Sequence, residues 1–253
     1  MPQSQSISEI LYRLYVFPRS SCAQRIRIAL SLKAITNVII HNVDLETDAH
    51  HTEAYRAINP SANLPTLVVE KKAPSGHVTR FVLTHSTAIL EYFEEALPDK
   101  FPLLSPVWAL EQRARVRELM AVITQNMYPL AKKETAGRIH EIRNSKSDEV
   151  AFVTAALVEG FDTYETMLKR YGGFYSAGDH VTLADVCLVP QVLQARMYGV
   201  DACGSDGTWP LINGVVERLE AIEAFGREIR VERRRSEAPS TPLVLKYHAQ
   251  VWG

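Results

Sequence analysis

The fold is decided by one stretch near the start of the chain, residues 18–30, which read PRSSCAQRIRIAL. Residues 11–17 before it are rich in aromatic and β-favouring side chains, and they end at Pro18, which cannot donate to a strand ladder. Within the stretch, apolar residues from Ile26 recur at helical spacing, and Ser20 or Ser21 can serve as the helix N-cap. A second strand is predicted at residues 38–43. The order β-α-β implies parallel pairing and a right-handed crossover.

The remainder of the first hundred residues predicts the order β-β-α. A short helix over residues 53–58 stops before Asn59-Pro60, since the residue before a proline disfavours helical dihedrals. Strands at residues 66–69 and 78–83 are separated by Pro-Ser-Gly, which is typical of a hairpin turn. A helix over residues 86–97 then ends at Pro98.

A change in composition after residue 97 predicts a domain boundary. Residues 98–107 contain several prolines and lack periodicity, as linkers do. The chain beyond is helical by its apolar spacing, at residues 111–124, 150–170, 182–198 and 211–225. Thr182 and Asp185 form a capping box at the start of the third of these helices. We therefore expect an α/β domain at residues 11–97, a linker at 98–107, an all-helical domain at 108–235, and tails at 1–10 and 236–253.

The bulk composition excludes several classes of protein. The chain has 253 residues, of which 46% are apolar and 23% are charged, and a net charge of -1 gives no reason to expect nucleic acid or an anionic membrane as a partner. Three cysteines without a CxxC pair favour a reducing compartment. We expect a cytosolic protein, because no leader is evident and no apolar run approaches the roughly 20 residues of a spanning helix. No metal is predicted, since no set of ligand residues has metal-binding spacing.

The triplet Ser20-Ser21-Cys22 is the first candidate for chemistry. It lies at a helix start, where unpaired amides and the helix dipole favour a thiolate or another anion. Arg19 and Arg25 add positive charge nearby. Taken alone, the triplet is equally compatible with a plain N-cap followed by a small buried cysteine.

Four segments decide between these interpretations. PRSSCAQRIRIAL, INPSANLPTLVV, THSTAILEYFEEALP and GDHVTLADVCLVPQV follow one another in this order. Together they resemble the zeta class of glutathione transferases, which includes maleylacetoacetate isomerase, over roughly residues 11–225. The resemblance implies a thioredoxin-like α/β domain followed by an all-α domain, with glutathione as cofactor. It also implies a cytoplasmic homodimer that takes part in aromatic amino acid catabolism.

The resemblance assigns roles to individual residues. It implies that Ser20 donates its hydroxyl to the glutathione sulfur, and a hydrogen bond at a helix start lowers the pKa of a thiol. The remaining catalytic residues would be Ser21, Cys22 and Arg25. The remaining residues that bind glutathione would be Leu64 before a cis-Pro65, His85 and Ser86, with His51, or its neighbour His50, in place of a glutamine. Cys187 is expected in the core, and Cys203 in a loop without catalytic weight.

The sequence departs from the family pattern on the side of the second substrate. Gln24 stands where the family often has Trp, and Tyr128 stands where Gln or His is common. The family's arginine that would bind a substrate carboxylate aligns with Met197, whereas this chain has its arginine one residue earlier, at Arg196. Arg19, Tyr128 and Arg196 are the candidate substrate contacts. The leading hypothesis is cis-trans isomerisation of maleylacetoacetate by addition of the thiolate, bond rotation and elimination. The alternatives are a transferase or isomerase for another electrophile, such as a haloacid or conjugated enone, and a non-catalytic interaction protein with the same fold.

Overall fold

The computed structural model describes residues 9–204 and 207–237. The first part of the chain consists of these elements: β1 (Glu9–Val16), α1 (Ser21–Leu32), β2 (Val38–Asn42), a 3₁₀ turn (Ala49–His51), α2 (Glu53–Arg56), β3 (Thr66–Lys72), β4 (Val78–Thr84) and α3 (Ser86–Ala96). The predicted order β-α-β, then β-β-α, is confirmed. The predicted tails at 1–10 and 236–253 lie largely outside the described residues, although β1 already begins at Glu9 and the last helix reaches Glu237.

The four strands form one mixed sheet with the order β2-β1-β3-β4. β1 runs parallel to β2, with Tyr12 opposite Val38, as the crossover through α1 requires. β1 and β4 both run antiparallel to β3. Leu14 and Leu67 on the two central strands are fully buried, and Tyr12 packs edge-on against Phe93 of α3 with 5.5 Å between ring centroids. This is the thioredoxin-like arrangement.

Within the described residues, the second part of the chain forms helices, together with an isolated β-bridge between Tyr175 and Gly178. Its elements are α4 (Leu110–Ala121), a π-helical segment (Val122–Met127), α5 (Tyr128–Ala131), α6 (Lys133–Arg143), α7 (Lys146–Tyr171), α8 (Leu183–Ala195), a 3₁₀ turn (Arg196–Tyr198), α9 (Pro210–Glu220) and α10 (Glu223–Glu237). The predicted capping box is present at α8, where the Asp185 carboxylate accepts the Thr182 N–H at 2.7 Å. None of the described helices is long and apolar enough to cross a membrane.

Three helical details differ from the sequence prediction. The helix predicted over residues 211–225 is two helices, because the chain turns at Ala221 and Ile222 and α10 folds back onto α9 and α1. The helix predicted to end at residue 124 passes into the π-helical segment, which precedes Pro129, a residue without an N–H for the regular ladder. Helix α6 was missed because only Ala136 of its residues is buried, which leaves no apolar period to detect.

The predicted linker lies outside any helix or strand, yet it is firmly held. The Lys33 ammonium donates to the carbonyls of Lys100 and Phe101 at 2.8 and 3.2 Å. The Glu94 carboxylate accepts the N–H groups of Leu103 and Leu104 at 2.9 and 3.0 Å. Because Lys33 and Glu94 also pair with each other at 2.7 Å, a buried ion pair fixes the linker beneath the first domain.

Candidate active site

The start of α1 presents an unengaged serine hydroxyl. Ser20 has extended dihedrals (φ -74°, ψ 131°), and its carbonyl accepts the Gln24 N–H at 3.0 Å, so it is the N-cap residue. Its side chain makes no capping hydrogen bond. The hydroxyl is therefore free to reach a ligand at the positive end of the helix.

The two residues after Ser20 join this helix start to the helical domain. Ser21 and Cys22 are buried. The Ser21 hydroxyl donates to the Gln194 side-chain oxygen of α8 at 3.4 Å, and the Gln194 amide donates to the carbonyl of Ala131 at 3.2 Å. The site therefore lies where the two domains meet. Gln194 was missed from the sequence, because it stands in an apolar helix without a recognisable motif.

Arg25 connects three parts of the site, although it is only 1% exposed. Its Nη1 atom donates to the Ser86 hydroxyl at 3.3 Å and lies 3.7 Å from the Cys22 sulfur. Its guanidinium lies 5.1 Å from the ring centroid of Tyr128. The starts of α1, α3 and α5 thus converge on one buried cation, and four of the predicted site residues lie together.

Tyr128 is the contribution of the helical domain to this group. It follows directly on the π-helical segment, and such segments occur frequently at functional sites. Burial raises the pKa of Tyr128, and the neighbouring Cys22 thiol raises that pKa further. The phenol therefore stays protonated at neutral pH and acts as a hydrogen-bond donor.

The loop before β3 has the predicted cis peptide bond between Leu64 and Pro65. The loop is held from behind, since the Asn63 carbonyl accepts hydrogen bonds from the Tyr55 hydroxyl and the Asn59 amide, both at 2.8 Å. The N–H and C=O of Leu64 form no hydrogen bond with any described residue. An extended peptide could pair with them as an added strand does.

The start of α3 lies on the other side of Arg25. His85 precedes the helix with a left-handed φ of 67° and an exposed side chain, and it makes no capping hydrogen bond. Ser86 begins the helix and is buried against Arg25. The unpaired N–H groups at this helix start could bind the carboxylate of a ligand.

The two adjacent histidines lie on the 3₁₀ turn after β2. Their rings are 3.9 Å apart, and His51 contacts Arg56 with 3.1 Å between Nδ1 and Nη2. Burial, followed by the neighbouring His51, lowers the pKa of His50. Asp48 has a left-handed backbone (φ 55°), which places its carboxylate within 4.8 Å of ligand atoms on both histidines. The sequence spacing did not reveal this group, because the approach of Asp48 depends on its backbone conformation.

The remaining candidates, Arg19 and Arg196, form ion pairs with carboxylates outside the cluster around Arg25. Arg19 is exposed and pairs with Glu46. Arg196 pairs with Asp201 at 3.1 Å and lines a cavity of about 160 Å³ among α8, α9 and α10. It is two residues after Gln194, which faces Ser21, and two residues are about 200° of helical rotation. Arg196 thus belongs to the opposite side of the helix end, and Met197 beside it is 67% exposed.

The other two cysteines have the surroundings of unreactive thiols. Cys187 is fully buried in α8, and burial raises its pKa to about 11. Cys203 is half-buried in a loop, where burial likewise raises its pKa to about 11. All three cysteines of the chain are free thiols.

A mixed four-stranded sheet with a cis-proline before its third strand, a serine at the first helix start and a following helical domain define the glutathione transferase class of proteins. Residues 19–96 match the family "Glutathione S-transferase, N-terminal domain", and residues 143–227 match "Glutathione S-transferase, C-terminal domain". The chain is 36% identical to the maleylacetoacetate isomerase of Emericella nidulans over 86% of its own length and 90% of that protein.

Solved structures give the same result. A bacterial zeta-class maleylpyruvate isomerase in its holo form is 32% identical, with a TM-score of 0.72 over 85% of this chain and 95% of that one. The maleylacetoacetate isomerase of Anaeromyxobacter dehalogenans, with glutathione bound in its active site, is also 32% identical with a TM-score of 0.72, over 86% and 94% of the two chains. The chain belongs to the zeta-class glutathione transferase family, together with the maleylacetoacetate isomerases.

Proposed function

We propose that the chain is a glutathione-dependent cis-trans isomerase of the maleylacetoacetate type. The observation that carries the proposal is the Ser20 hydroxyl, which is left unengaged at the positive start of α1. Relatives named as maleylacetoacetate isomerases, one of them with glutathione in its active site, support it.

Glutathione would be held along its whole length by groups that converge on this helix start. Its sulfur would accept the Ser20 hydroxyl, and its cysteinyl backbone would pair with the free N–H and C=O of Leu64. Its γ-glutamyl carboxylate would lie at the start of α3, with Ser86 and His85 beside it. His51 would contact the glycyl end of glutathione.

The chemistry follows from a thiolate held in this position. The sulfur adds to one carbon of the cis double bond, and the electron pair of that bond moves to the conjugated carbonyl as an enolate. The former double bond is now single and rotates. When the enolate collapses, the carbon–sulfur bond breaks, which leaves the trans alkene and regenerates the glutathione thiolate.

The protein's residues lower the barrier at two points of this sequence. The Ser20 hydroxyl and the α1 dipole favour the thiolate before it adds. Tyr128 keeps its proton and contacts Arg25 from the helical domain. Its phenol would therefore donate to the oxygen on which the enolate charge develops.

Replacement of Ser20 by alanine tests the proposal. The hydroxyl donates to the sulfur at both thiolate-forming steps, so Ser20→Ala should lower kcat by about a hundredfold or more, the range seen when one donor to a developing anion is removed. Ser31→Ala on the exposed side of the same helix is the matched control and should keep wild-type turnover. Undiminished isomerase activity in Ser20→Ala would remove Ser20 from the mechanism.

A second candidate is an isomerase or transferase for a related electrophile. It is favoured by the placement of Arg196, which is paired with Asp201, and by the exposed Met197 beside it. Neither Arg196 nor Met197 therefore places a cation near Ser20 that could bind the second carboxylate of a substrate. One relative is indeed named for maleylpyruvate.

We also propose that the enzyme is a homodimer in the cytosol. The free thiols suit a reducing compartment. β4 is an edge strand of the sheet, and it leaves Val78, Phe81 and Val82 41–49% exposed. Exposed apolar side chains on one edge strand support a contact with a second copy.

A further inference from the structure

Arg25 is a buried cation whose hydrogen-bonding capacity is largely unused. Its side chain is 1% exposed, and its Nε and Nη2 atoms are buried without a hydrogen-bond partner. The third nitrogen, Nη1, reaches only the Ser86 hydroxyl and the Cys22 sulfur. No carboxylate among residues 9–204 and 207–237 pairs with it.

Arg27, two residues further along α1, has a different environment. Arg27 forms a bidentate ion pair with Glu228 of α10, with nitrogen–oxygen distances of 2.8 and 2.6 Å. That pair is a structural tie between α1 and α10. Two arginines two residues apart thus have opposite environments, one compensated by a carboxylate and the other not.

An uncompensated buried charge destabilises a fold. Guanidinium remains protonated, so it cannot escape the cost of burial by losing a proton. The ring of Tyr128 at 5.1 Å offsets part of this cost through a cation–π interaction. A cation kept at such a cost in the centre of a binding site indicates that its counter-charge comes with a ligand.

We propose that Arg25 is a positioning residue whose counter-charge is bound glutathione. The inference rests on the proposed function, which places the sulfur and the γ-glutamyl carboxylate of glutathione at the two helix starts that Arg25 contacts. Through Nη1, Arg25 polarises the Ser86 hydroxyl toward the γ-glutamyl carboxylate. Through Cys22 and its own charge, it favours the thiolate over the thiol at the start of α1. Binding of glutathione and ionisation of its sulfur are therefore coupled by one buried group.

This role predicts that stability and binding respond in opposite directions to Arg25→Met. Methionine fills much of the same space without a charge, and replacing buried charges by apolar side chains is often neutral or stabilising. The glutathione-free variant should melt at the wild-type temperature or above it. Its Kd for glutathione should rise about ten- to hundredfold, the loss expected for one charge-assisted hydrogen bond.

Three measurements on the purified full-length protein test the inference. Calorimetry gives the Kd for glutathione, thermal melting with and without glutathione gives the ligand-induced shift, and ultraviolet absorbance of the thiolate against pH gives the pKa of the bound thiol. In Arg25→Met the melting shift should shrink, and that pKa should rise by about one unit. Arg25→Lys, which keeps the charge, should restore part of the lowered pKa.

The double variant Arg27→Gln/Glu228→Gln is the control. It removes the neighbouring ion pair while its amides can still bond each other, so it should lose melting temperature and keep the wild-type Kd and thiol pKa. A glutathione-free Arg25→Met that melts well below wild type, or a variant with the wild-type thiol pKa, would overturn the inference. Failure of the wild-type protein itself to bind glutathione would instead overturn the proposed function.

Discussion

Replacement of Glu94 by alanine removes the group that fixes the linker between the two domains. The Glu94 carboxylate pairs with Lys33 at 2.7 Å and accepts two backbone N–H groups, those of Leu103 and Leu104. The two charged side chains are 0% and 6% exposed. Removal of Glu94 therefore leaves a buried ammonium and two buried amides without their acceptor.

The cost follows from these contacts. Loss of one partner of a buried ion pair costs about 3–5 kcal/mol, and a buried donor left without an acceptor costs about 1–3 kcal/mol. Since the carbonyls of Lys100 and Phe101 still hold the ammonium, we expect about 5 kcal/mol for Glu94→Ala. Glu94→Gln keeps an oxygen for the two amides and should cost about 3 kcal/mol.

Urea unfolding followed by tryptophan fluorescence measures both values, with the slope m compared among variants. The matched control is Glu91→Ala on the same helix. Glu91 pairs with Arg117, but their side chains are 28% and 44% exposed, so its loss should cost no more than about 1 kcal/mol. The reasoning is refuted if Glu94→Ala and Glu91→Ala unfold at the same urea concentration.

Two further predictions concern the site and the assembly. Tyr128→Phe should lower kcat about tenfold or more by removing the donor to the enolate oxygen. Because burial raises the pKa of Tyr128, the wild-type rate should not fall through loss of the phenol proton up to about pH 10. A fall in the wild-type rate below that pH that is absent in Tyr128→Phe would contradict the raised pKa. Sedimentation equilibrium should give twice the 28.4 kDa chain mass, and Val82→Asp on β4 should lower it toward one chain; a monomeric wild type would exclude the homodimer.

Local patterns were enough to predict the elements that build the glutathione half of the site. Alternating and helical apolar periods predicted β1, α1 and the β3–β4 hairpin, and Leu64-Pro65 indicated the cis bond through family resemblance. These features depend on residues that are neighbours in the chain. The sequence alone therefore places Ser20, Cys22 and Ser86 at the two helix starts.

Features that depend on tertiary contacts were not predictable in this way. Gln194 reaches Ser21 across the domain interface, and the approach of Asp48 to the histidines depends on a left-handed backbone. The difference between Arg25 and Arg27 likewise cannot be predicted from the sequence of α1, because it depends on where Glu228 lies after the chain has turned at Ala221. Pairwise contacts between distant segments decide these points, and apolar periodicity carries no information about them.

The central claim is that a glutathione thiolate, formed at Ser20, isomerises a cis double bond of the maleylacetoacetate type. The most direct measurement is the rate of maleylacetoacetate isomerisation by the purified protein with and without glutathione, beside parallel assays with chloroacetates and other conjugated enones. The account predicts turnover of maleylacetoacetate that requires glutathione and leaves the glutathione unconsumed. Binding of glutathione without isomerisation of maleylacetoacetate, or isomerisation that proceeds equally in its absence, would contradict it.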